Sequence, residues 1–142
     1  MSVVYAESSA VLAWLLSEST SDVVDRELSR ADQVVTSLLT LVECCRGLAR
    51  ARQLRRITAE DERSAVRVLE IRAAGWSVLD LSARVADRAR GAFPNEPVRT
   101  LDALHLATAA IFADALGSVR VLSLDDRVRT NAVALGMPVA PA

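Results

Sequence analysis

The chain has 142 residues, 51% of them hydrophobic, and a net charge of −1. That length fits one domain with a sizeable core, and that hydrophobic content excludes a disordered chain. All 17 basic residues are arginine, and without lysine there is no Walker A loop, Schiff-base lysine or receiver-domain lysine. No apolar stretch approaches the ~20 residues of a membrane span, and the N-terminus lacks the basic region and cleavage site of a signal peptide. A soluble, cytoplasmic protein is expected.

The predicted elements alternate. Val3–Glu7 is a short β-rich run that reads as a buried strand, and Ser8 or Ser9 is placed to cap a helix through about Leu16. Ser21–Arg30 predicts a second helix and Gln33–Thr36 a short strand. From Ser37, its expected cap, apolar residues recur at helical spacing to about Arg52, with Glu43 a turn inside. Thr58-Ala59-Glu60-Asp61 resembles a capping box for a helix that stops before Gly75. Trp76–Leu79 predicts a strand and Ser82–Ala92 a helix, capped by Asp80; Gly91–Pro97 predicts a loop. Thr100 is the expected cap of a helix to about Leu116, which Gly117 ends. Val119–Ser123 predicts a strand, followed by a helix to Leu135 whose capping box pairs Ser123 with Asp126. Pro138–Ala140 closes the chain as a short strand. Such alternation predicts a three-layer α/β/α sandwich on a parallel sheet ordered 3-2-1-4-5, a single domain over residues 1–142.

Four acidic residues stand out against this frame. Glu7 and Asp125 each follow a buried strand; Glu43 lies on an apolar helix; Asp102 opens another. A carboxylate beside so much hydrocarbon is costly unless it is paired or bound to a cation, and a hard divalent metal relieves repulsion among several of them. Taken singly, each has an ordinary explanation as a cap or a helix-start residue. In open parallel sheets ligands bind at the carboxyl ends of strands, near the reversal of strand order, which is where Glu7 and Asp125 fall. The adjacent cysteines Cys44 and Cys45 form neither an ordinary disulfide nor a zinc motif and are expected to pack in the core, as are Trp14 and Trp76. The lone His105, three residues after Asp102, is read as structural, bonded within its own helix face. Arg46, Arg50, Arg52, Arg55 and Arg56 form a local basic stretch, either a solvated helix face or a set of phosphate contacts.

These residues carry a family resemblance. Tyr5-Ala6-Glu7-Ser8-Ser9-Ala10, the helix Ser37–Arg46, the run Arg99-Thr100-Leu101-Asp102-Ala103-Leu104-His105-Leu106-Ala107, and Leu122-Ser123-Leu124-Asp125-Asp126-Arg127 resemble, in order and spacing, the motifs of PIN-domain ribonucleases. The small size points to the VapC-type toxins of toxin–antitoxin pairs. The resemblance implies a metal-dependent endoribonuclease with Glu7, Glu43, Asp102 and Asp125 as catalytic residues. Mg²⁺ or Mn²⁺ would rest on Glu7, Asp102 and Asp125, and Glu43 would hold or deprotonate the water or bind a second ion. Arg46 and Arg99 would orient the RNA backbone. It further implies a cognate antitoxin and a homodimer. A catalytically weakened PIN-like module that binds RNA or protein is the alternative, because the family places aspartate where this chain has Glu7. The extra methylene carries the carboxylate ~1.3 Å farther out.

Overall fold

Continuous rather than alternating β-branched runs mark strands covered on both faces. In the computed structural model, which describes residues 1–142, five of them form one parallel sheet. The strands are β1 (Val3–Ala6), β2 (Gln33–Ser37), β3 (Ser77–Leu79), β4 (Arg120–Leu122) and β5 (Val139–Ala140). Their order is β3-β2-β1-β4-β5, as the alternation of elements predicted. The helices are α1 (Ser8–Leu15), α2 (Ser21–Arg30), α3 (Leu38–Gln53), α4 (Ala59–Ala73), α5 (Ala83–Ala89), α6 (Thr100–Leu116) and α7 (Asp126–Ala134).

The two-residue period of a strand splits the core into two halves. Val3 and Tyr5 of β1, with Val35 and Val121 beside them, face α6 and α7 and pack on Ala103, Leu106, Ala110, Val128 and Ala132. Val4 and Ala6, with Val34 and Leu122, face the opposite layer and pack on Val11, Val24, Leu28, Cys44 and Leu69 of α1 to α4. This gives the three layers. The α6 helix is apolar nearly all round and is buried from Asp102 to Ile111 except at Leu104, so it lies against the sheet with little freedom to shift. On the other face, a Cβ on Gly47 would sit 2.5 Å from Leu12 Cδ2, so a larger residue there would displace the Leu12 side chain where α3 packs on α1.

Several caps fall where the spacing placed them. The Ser37 hydroxyl accepts from Leu39 N, and Thr58 and Asp61 close a reciprocal box. Four do not. Neither Ser8 nor Ser9 caps α1: Glu7 stays extended, with φ −91° and ψ 151°, and its own carboxylate accepts from Ser9 N. Ser82, not Asp80, caps α5, which ends at Ala89, short of the expected Ala92. Arg99 takes the cap position of α6 without a side-chain bond, so Thr100 is already helical. Asp125 rather than Ser123 caps α7, accepting from Arg127 N and Val128 N, while Ser123 accepts from Asp125 N. Cys44 is fully buried and Cys45 half-buried, both reduced. Trp14 and Trp76 pack at the edge of the second cluster rather than inside it, with the Arg72 guanidinium 4.9 Å over the Trp14 ring.

Candidate active site

The strand order reverses at β1, whose neighbours β2 and β4 lead in opposite directions across the sheet. Beyond the carboxyl ends of such strands a crevice opens, into which loops and helix starts project. Glu7 leaves β1 there and Asp125 follows β4. Serines lace the two strand ends together: Ser9 Oγ accepts from Leu124 N at 2.9 Å and lies 3.3 Å from Ser123 Oγ. Because β2 runs directly into α3 through Ser37, Glu43 is delivered to the same edge. The first turn of α6 brings Asp102.

Glu7 is only 4% exposed. Its Oε2 accepts from Ser9 N at 2.6 Å. Burial pushes its carboxyl above the ordinary range, opposed by the His105 ring and the Ser9 bonds and reinforced by the nearby Asp125 charge. For Glu43, burial acts in the same upward direction but is outweighed by hydrogen bonds from His105 and Ser8, which hold its carboxyl below the usual range. Both donors meet one oxygen: Ser8 Oγ donates to Glu43 Oε1 at 2.7 Å, and His105 Nε2 lies 2.5 Å from the same atom. His105 therefore bonds across to α3, and not to Asp102 on its own helix as the spacing suggested.

Asp102 and Asp125 share a cation supplied by the chain itself. Arg99 donates through Nε to Asp102 Oδ2 at 3.1 Å and through Nη2 to Asp125 Oδ2 at 3.4 Å, with Nη2 also 3.1 Å from Asp102 Oδ2. The Arg99 side chain is 63% exposed, so this bridge is solvated and free to open. Glu43, Arg99 and Asp102 line one cavity of about 280 Å³. Arg46 stands one turn along α3 from Glu43, lining with Arg50, Arg52 and Leu101 a larger adjoining groove of about 810 Å³.

Asp102 and Asp125 thus share Arg99, while Glu43 bonds His105 and Glu7 feels the charge of the same ring. No three acidic, histidine or cysteine side chains, however, are gathered closely enough to hold one ion as arranged here. The donor set still fits a hard cation. Glu7 Oε1, Glu43 Oε2 and Asp102 Oδ1 have no protein donor, and Asp125 Oδ2 meets only Arg99. All are oxygens, the ligand type that Mg²⁺ and Mn²⁺ prefer. The guanidinium between Asp102 and Asp125 shows that the pair already accommodates positive charge.

Sequence reasoning missed two members of this cluster, Ser8 as a donor to Glu43 and His105 as its second donor. The one available signal was a lone histidine placed inside an otherwise apolar helix.

The PIN-domain family model matches residues 4–134. The chain is 37% identical over 140 residues to Ribonuclease VapC46 of Mycobacterium tuberculosis, covering 98% of this chain and 97% of the relative. It is 29% identical over 139 residues to Ribonuclease VapC35 of the same species, covering 96% and 95%. Among solved structures, the FitAB complex bound to an IR36 DNA fragment superposes with a TM-score of 0.63 at 16% identity, over 96% of this chain and 92% of the other, a likeness of fold. With the family's model matching residues 4–134 of the 142, the chain belongs to the PIN-domain family, and its relatives there are VapC-type proteins.

Proposed function

We propose that this chain is a Mg²⁺- or Mn²⁺-dependent endoribonuclease, the toxin of a toxin–antitoxin pair, acting in the cytoplasm as a single domain. The observation that carries the reading is the arrival of Glu7, Glu43, Asp102 and Asp125 at the carboxyl edge of the sheet, each with an oxygen left open or met only by an exposed arginine. Family membership and the relatives named as ribonucleases support it. No helix is long and apolar enough to cross a membrane.

Glu7, Asp102 and Asp125 would hold the metal. When bound, the ion would acidify a water and offset charge that develops on the phosphate. Glu43 would accept a proton from the attacking water through Oε2. Arg99, released from the two aspartates, and Arg46 in the adjoining groove would pair with backbone phosphates. Attack by water on phosphorus leaves a 3′-hydroxyl and a 5′-phosphate. Leu38, Val42 and Leu101 are exposed beside the groove at 42%, 55% and 47%. Apolar side chains left in the open at such a place support contact with a cognate antitoxin and with a second copy of the chain.

A second reading, a PIN-like binding module with weakened catalysis, is favoured by one observation: the Glu7 carboxylate folds back onto the cap of α1. Titrating Mg²⁺ and Mn²⁺ against cleavage of a labelled RNA separates the two. Metal-dependent cutting supports the nuclease, and metal binding or RNA binding without cutting supports the module.

A further inference from the structure

We propose that His105 is a positioning residue: together with the Ser8 hydroxyl it pins Glu43 by one oxygen and so aims the other into the site. The inference rests on the nuclease reading above and assigns a task to the one histidine of the chain.

Two donors on a single carboxylate oxygen hold it in place, since rotation about the last side-chain bond breaks both, and leave the other oxygen open. Ser8 Oγ and His105 Nε2 reach Glu43 Oε1, and Oε2 has no protein donor. The imidazole is itself immobilised. It is 2% exposed, on the buried face of α6, with Nδ1 2.7 Å from the hydroxyl of Tyr5 and the two rings edge to face at 6.0 Å between centroids. Tyr5 is fully buried in β1, the central strand. A chain of contacts therefore runs from the middle of the sheet through α6 to the acid on α3. A carboxylate only accepts, so Nε2 carries a hydrogen, and in the neutral ring the Tyr5 hydroxyl donates to Nδ1.

A purely structural histidine would account for less. The Glu43 side chain is 27% exposed, so water would satisfy its carboxylate without His105. What the pairing does change is geometry. A group that takes a proton must stand within hydrogen-bond reach of it, and a misplacement of ~1 Å costs on the order of 100-fold in rate.

The test compares His105→Leu with His105→Gln in steady-state cleavage of an RNA oligonucleotide, with melting curves on each. Leucine removes the donor; the glutamine amide replaces it near the position of Nε2. Leucine is expected to lower kcat by about 10- to 100-fold, with KM for RNA little changed, and glutamine to restore most of it. Equal loss in both variants, or a loss that follows only melting temperature, overturns the assignment. Should His105→Leu not fold, Ser8→Ala removes the other donor from the same oxygen and is expected to lower kcat in the same way; an unchanged kcat there overturns it. A readout free of turnover is the ¹⁵N spectrum of the single imidazole in tag-free protein. It should show a hydrogen on Nε2 whose resonance moves in Glu43→Ala. A bare Nε2, with the hydrogen on Nδ1, also overturns the assignment. Wild-type protein that shows the Nε2 hydrogen but cuts no RNA with metal present refutes the nuclease reading instead.

Discussion

Arg99→Gln removes the one cation that the chain places between Asp102 and Asp125. The guanidinium makes two ion pairs, at 3.1 Å to Asp102 and 3.4 Å to Asp125, and is 63% exposed. At that exposure each pair is worth ~0.2–1 kcal/mol, so displacing both costs an incoming metal about 0.4–2 kcal/mol. At 1.4 kcal/mol per tenfold, the wild-type chain binds Mg²⁺ or Mn²⁺ about 2- to 25-fold more weakly than Arg99→Gln in the absence of RNA. Calorimetric titration of Mn²⁺ into both proteins, with no substrate present, reads this directly. The difference should shrink as salt rises, since solvated pairs are screened. In cleavage assays the same variant should show a higher KM for RNA, because the freed arginine no longer meets the phosphate. Equal or weaker metal binding in Arg99→Gln would refute the idea that arginine and metal compete for the two aspartates.

Glu7→Asp is expected to tighten Mg²⁺ binding and to preserve or raise cleavage: aspartate is a favoured cap residue, still reaches Ser9 N, and draws the carboxylate back by ~1.3 Å; a clear fall in both on calorimetry and single-turnover assay would show that the site is built around the longer acid. In metal-free buffer Glu7→Gln is expected to melt higher than wild type at neutral pH. Burial raises the Glu7 carboxyl in the folded state, so folding favours its protonated form. That contribution is full below the unfolded carboxyl pKa and is lost as pH rises through the folded value, leaving a charged, buried group that glutamine avoids. Melting curves from acid to neutral pH should therefore converge at low pH and separate above it. Ser37→Ala is expected to cost ~1 kcal/mol by removing the cap of α3, read by urea denaturation.

The parallel sheet and its order were legible because each strand is a short apolar run between turn signals, and right-handed crossovers leave few ways to order such strands. Glu7 and Asp125 were placed at the strand ends by the same logic. The details around them were not. Three residues in a row, Glu7, Ser8 and Ser9, can each cap a helix, and the extended backbone at Glu7 decides among them only in the folded chain. The bond between His105 and Glu43 spans 62 positions and joins helices from opposite faces of the sheet, α6 and α3, at its carboxyl edge, which no local pattern encodes. Spacing within one helix pointed instead to Asp102, whose partner turned out to be Arg99, three residues before it.

The central claim is tested most directly by RNA cleavage with and without divalent metal, wild type beside Asp102→Asn. Asp102 is 9% exposed and held by Arg99, and asparagine keeps its shape while removing its charge. Wild-type protein should cut RNA with Mg²⁺ or Mn²⁺, stop on addition of EDTA, and leave 5′-phosphate ends. Asp102→Asn should remain folded by circular dichroism, with a melting temperature equal to or above wild type, and should cut nothing. Full cleavage by Asp102→Asn, or cleavage that persists in EDTA, would contradict a carboxylate-held metal as the source of the activity.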